Sequence, residues 1–120
     1  MPAAIIAYET AQAVDPDYSK AHYNLGVAYL RQQRFDEAHK ALQGALSRDG
    51  DNPDVHYHLA LLHAHSGDYA KATTALELVV AARPEMVDAR RKLAVSYLKL
   101  GRVEDSKAQL KVVAELEGRS

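Results

Sequence analysis

Four histidines crowd one short stretch, His56, His58, His63 and His65. Imidazole is the side chain best suited to hold a metal or move a proton near neutral pH. Two ligands on one helical face need a separation of three or four residues, as in helical zinc sites. His56 and His63 stand seven apart, as do His58 and His65, which is about 10 Å along a helix axis. The other separations are two, five and nine, and none fits. There is no cysteine, so thiolate sites and disulfides are excluded. No metal and no cofactor is therefore expected. Nucleophilic catalysis needs a nucleophile, a base and an orienting group that converge. Ser19, Ser47, Ser66 and Ser96 fall at helix ends or along helices, and no glycine-rich phosphate loop is present. No enzymatic activity is expected from these residues.

The elements that must carry any function belong to a chain of 120 residues, room for one domain. Its 15 basic and 16 acidic residues nearly balance, which argues against nucleic acid as a partner. With 48% apolar residues it is neither a disordered tail nor a fibrous protein. No segment approaches the ~18 apolar residues that cross a bilayer, so no membrane insertion is expected. Met1 to Ala7 is apolar but lacks the basic start of a secretory signal. An export signal would lie outside this sequence; the compartment stays open, with the cytoplasm as the default.

Sliding the sequence against itself gives one strong offset of 34 residues. Leu25, Leu59 and Leu93 coincide, as do Leu42, Leu76 and Leu110, and Ala45, Val79 and Val113. The units are 19–52, 53–86 and 87–120, and such a period signals stacked repeats. Within each unit apolar residues recur at three- and four-residue spacing in two blocks, the pattern of two amphipathic helices. Short breaks at Gln33-Arg34, Gly67-Asp68 and Gly101-Arg102 separate the blocks. Asn52-Pro53 has the chemistry of a helix start, a capping side chain followed by proline. Residues 1–18 follow the register of a second helix alone, so the chain opens on a half-repeat and reads as part of a longer protein. The expectation is seven helices near 3–14, 19–32, 36–48, 53–66, 69–82, 87–100 and 103–116.

His22, Leu25-Gly26, Tyr29, Ala38, Leu42 and Ala45 in the first unit form a spaced set that the other units repeat. The second has His56, Leu59-Ala60, His63, Ala72, Leu76, Val79 and Pro84; the third has Arg90, Leu93-Ala94, Tyr97, Ser106, Leu110 and Val113. This pattern resembles the tetratricopeptide repeat over essentially the whole chain. The resemblance implies an all-α, right-handed superhelical solenoid of antiparallel helix hairpins that binds other proteins. Gly26, Ala60 and Ala94 then lie where paired helices cross, with Ala38 and Ala72 opposite.

In the family the leading helices line a concave groove. Here the resemblance puts Lys20, Tyr23, Asn24, Val27, Leu30 and Arg31 there, followed by Asp54, Tyr57, His58, Leu61, Ala64 and His65. Asp88, Arg91, Lys92, Val95, Leu98 and Lys99 complete it. Apolar and aromatic residues beside polar ones on a second face mark a contact surface. Five of these residues are basic and two acidic, which suits a protein or peptide segment of acidic character. Asn24 can pair with the backbone of an extended peptide. Some relatives clamp a chaperone's terminal carboxylate with lysines, asparagines and an arginine. Those positions read Tyr23, Val27, His58, Asp88 and Lys92, and only Lys92 offers the right charge, so that activity is not expected.

Two other readings compete. The stripe of Ile5, Ile6 and Tyr8 lacks a covering helix, and Leu110, Val113 and Leu116 lack a polar cap, which would favour homo-oligomers by end-to-end stacking. The chain could also be the recruiting arm of a larger enzyme.

Overall fold

The computed structural model describes residues 19–48 and 50–118. Six helices follow one another: α1 (Ser19–Arg31), α2 (Phe35–Arg48), α3 (Pro53–His65), α4 (Tyr69–Ala82), α5 (Val87–Lys99) and α6 (Val103–Gly118). Each boundary falls within about two residues of the position expected from spacing. The expected helix at 3–14 lies outside the described residues.

Local chemistry explains where the helices start and stop. The Asn52 side chain accepts the backbone N–H of Asp54 at 2.9 Å, and Pro53 opens α3. Asp68 caps α4 by accepting from the Lys71 N–H at 3.2 Å. The leading helices end in one repeated closure. In α3 the Gly67 N–H donates to the Ala64 carbonyl at 3.0 Å and the Asp68 N–H to that of His63 at 2.8 Å. The same pair of bonds recurs at 33–34 and at 101–102. It needs a left-handed residue, which is Gly67 (φ 84°), Gly101 (φ 79°) and, unusually, Gln33 (φ 60°).

The chain forms two compact units, Met1–His58 and Leu59–Ser120, and the division falls inside α3. In unit 1, α1 packs on α2 around Leu25, Ala28, Tyr29, Ala38, Leu42 and Ala45, with Val55 also buried. The closeness of the crossing is set by Gly26. A Cβ there would stand 2.6 Å from Cγ of Leu42 and 3.4 Å from the Ala38 carbonyl oxygen. In unit 2, α4 packs on α5 and α5 on α6, burying Leu59, Ala60, Ala72, Leu76, Val79, Leu93, Ala94 and Val113. The aligned leucines do not share one fate. Leu42 and Leu76 are 0% and 1% exposed, whereas Leu110 is 49% exposed.

Candidate protein-interaction surfaces

In unit 1, α1 turns Tyr23, Asn24, Val27 and Leu30 partly outward, with Lys20 and Arg31 fully exposed. The first turns of α3 add Asp54, Tyr57 and His58, all half-buried. Three of these rings meet. Tyr23 stands edge-on to His58 with centroids 5.4 Å apart, and Tyr57 does so at 5.5 Å. His58 Nδ1 lies 2.8 Å from the Asp54 carbonyl oxygen, so its N–H donates there and the ring is held against its own helix. The Tyr23 hydroxyl lies 3.5 Å from the same nitrogen.

In unit 2 the outward face is built differently. Val95 and Leu98 on α5 are 55% and 52% exposed, flanked by exposed Asp88, Arg91, Lys92 and Lys99. Two open hollows flank this helix. One, of about 460 Å³, is lined by Leu61, Ala64, His65, Tyr69, Lys92 and others; the second, of about 590 Å³, by Leu98, Lys99 and Leu110. Arg91 and Val95 border both. Lys99 places its ammonium 5.9 Å from the Tyr69 ring centre. Arg91 is ion-paired with Glu117 of α6. Among the described residues Lys92 and Lys99 make no ion pair.

The structure thus gathers Tyr23, Tyr57 and His58 in unit 1, and Leu61, His65, Arg91, Lys92 and Lys99 in unit 2. Sequence reasoning missed Tyr69 and Glu117, and it named Leu110 as an uncapped end rather than as part of this face. Tyr69 carried a signal, since Phe35 and Val103 repeat a large apolar residue at that register. Glu117 carried none, because it meets Arg91 across 26 residues.

The turns within the hairpins hold a second repeated device. The Arg34 guanidinium lies 4.5 Å over the Tyr29 ring, and Arg102 lies 4.4 Å over Tyr97. Each arginine also binds the acid three residues on, Glu37 or Asp105, and the hydrogen bond from Arg34 holds the Glu37 carboxyl below its ordinary pKa. In the middle repeat the polarity reverses to Asp68 and Lys71. Tyr97 is buried and donates to Glu77 at 2.6 Å; burial and that carboxylate push its pKa up to about 12. A third device ties connectors to helices. Nε2 of His56 lies 2.9 Å from the Gly50 carbonyl oxygen, and Nε of Arg90 donates to that of Pro84 at 2.7 Å. The two contacts are 34 residues apart.

Two of the serines weighed for chemistry hold structural bonds. Ser47 donates to the Gln43 carbonyl and Ser66 to that of His63, while Ser96 is buried. Among the described residues no three histidine or acidic side chains converge as metal ligands, and no helix is long and apolar enough to cross a membrane.

Known proteins share both the pattern and the architecture. The profile of the tetratricopeptide repeat matches residues 2–62, 29–85 and 63–119. Superkiller protein 3 of Schizosaccharomyces pombe is 31% identical over 100 residues, which span 83% of this chain and 7% of that much longer protein. Among solved structures, MamA superposes with a TM-score of 0.88 at 24% identity, covering 96% of this chain and 67% of that one. The first TPR of Spaghetti (RPAP3), bound to an HSP90 peptide, superposes with a TM-score of 0.77 at 22% identity, covering 85% of this chain and 81% of that one. At such identities these two likenesses are of fold. With its repeat closures, its small crossing residues and a profile matched from end to end, the chain belongs to the tetratricopeptide-repeat family, with that family's all-helical solenoid fold.

Proposed function

We propose that this chain is a protein-interaction scaffold that captures a segment of a partner protein on the outward faces of its leading helices. The carrying observation is the face of α5. That helix buries Ala89, Leu93, Ala94 and Tyr97, yet leaves Val95 and Leu98 more than half exposed among three cations. Apolar side chains held in water beside charge gain free energy when a partner covers them. Membership of a family with a peptide-bound member of the same fold supports the reading. The residues proposed to touch the partner are Lys20, Tyr23, Asn24, Val27, Arg31, Tyr57 and His58 in unit 1. In unit 2 they are Leu61, His65, Arg91, Lys92 and Lys99, joined by Val95 and Leu98.

A photo-crosslinking residue at position 95, compared with one at Glu104 on the trailing helix α6, tests this in cells. Both side chains are exposed, so accessibility does not bias the result. Discrete adducts from position 95 and none from 104 are expected. Adducts from 104 alone would move the site to the other face.

A further inference from the structure

Building on the scaffold reading above, we propose that Arg91 is the carboxylate-reading residue of unit 2, and that Glu117 of the same chain occupies it until an acidic, apolar-anchored segment displaces it. Arg91 borders both hollows beside α5. Its planar, forked guanidinium pairs with carboxylates in a defined geometry. The structure contains one such partner already: Glu117, from the last turn of α6, accepts from Nη2 of Arg91. Both side chains are about half exposed, at 50% and 51%. Water competes well at such a site, and an exposed pair shifts an equilibrium by no more than about fivefold. The resident contact is therefore exchangeable.

The surroundings specify the replacement. Lys92 and Lys99 flank Arg91 on one helix and are not ion-paired among the described residues. Asp88, one turn earlier, pairs with neither Arg91 nor Lys92. Val95, Leu98 and Leu110 supply exposed apolar area between the cations. The complementary occupant is a peptide in which carboxylates alternate with large apolar side chains.

The test uses the full chain, a fluorescein-labelled nonapeptide of alternating glutamate and leucine, and its glutamine counterpart. Binding is read by anisotropy at about 50 mM salt, and placement by the amide signals of Val95 and Leu98. Glu117→Gln is expected to tighten the glutamate peptide about two- to fivefold and leave the glutamine peptide unchanged. Arg91→Gln is expected to weaken the glutamate peptide about two- to fivefold and to abolish the gain from Glu117→Gln in the double variant. Unchanged or weaker binding by Glu117→Gln overturns the proposal, as does a gain that persists without Arg91. If both peptides bind wild type equally and shift Val95 and Leu98, the face captures segments but Arg91 does not read carboxylates. If neither peptide moves those signals, the scaffold reading of this face fails as well. Circular dichroism of each variant checks that the helices persist.

Discussion

On the outward side of unit 1, Tyr23, Tyr57 and His58 turn their rings on one another, and the imidazole is fastened to the carbonyl of Asp54. On the outward side of unit 2, Val95 and Leu98 face water, and two of three neighbouring cations lack a carboxylate. Arg91 and Lys92 hold the register of Tyr57 and His58, whereas Val95 and Leu98 hold that of Val27 and Leu30. Aromatic pairs of this kind contribute about 0.5–1.5 kcal/mol to the fold itself, so unit 1 uses much of its attraction internally. Unit 2 keeps its attraction available. The same helical position thus holds a ring packed against its neighbours in one repeat and an exposed cation in another, as His58 and Lys92 do, and spacing alone does not say which.

The comparison can be broken most forcefully inside unit 2. Leu76→Ala removes a side chain that is 1% exposed and is expected to lower stability by about 2–5 kcal/mol. Val95→Ala, on the outward face, is expected to change it by less than about 0.5 kcal/mol. Urea unfolding followed by circular dichroism measures both, and a large loss at Val95 would make that residue part of the framework.

A smaller effect sharpens the inward side. Burial and Glu77 raise the pKa of Tyr97 to about 12, so folding favours the protonated phenol. The contribution is complete below about pH 10 and is lost as pH rises toward 12. Tyr97→Phe is expected to cost about 1 kcal/mol at pH 7. Its deficit relative to wild type should shrink between pH 10 and 12, and a constant gap would show that the hydroxyl does not couple to Glu77.

The smallest change compares the turns. Gln33 closes α1 at φ 60°, where unit 2 uses Gly67 and Gly101. Gln33→Gly is expected to stabilise by about 0.5–1 kcal/mol, because a side chain is strained in that conformation. A loss of stability would mean that the Gln33 side chain holds a contact worth more than the strain.

The fold was legible because its causes are local or periodic. The 34-residue offset marks the crossing residues Gly26, Ala60 and Ala94. Asn52-Pro53, Gly67 and Gly101 mark helix ends through bonds that span only a few residues. The outward residues were legible as positions but not as states. Tyr23 and Val95 are both outside the core stripe of their helices, yet Tyr23 is half-buried against His58 and Val95 is 55% exposed. Glu117 escaped notice because its meeting with Arg91 depends on where α6 ends relative to α5. The arginine–tyrosine stacks at 34 and 102 did have a trace, an arginine five residues after a tyrosine, twice, two repeats apart. It was read only as a break between helices.

Arg90 deserves a last consideration for what its two grips imply mechanically. One edge of its guanidinium holds the Pro84 carbonyl, and Nη1 donates to Gln109 of α6 at 2.8 Å. The α5–α6 hairpin is joined covalently at residues 100–102, and this clasp ties the first turn of α5 to the middle of α6. A strut pinned at both ends resists splaying far better than one pinned at a single end. On the proposed binding reading, this second tie holds α5, so that less of the energy of association goes into ordering the face that bears Val95 and Leu98.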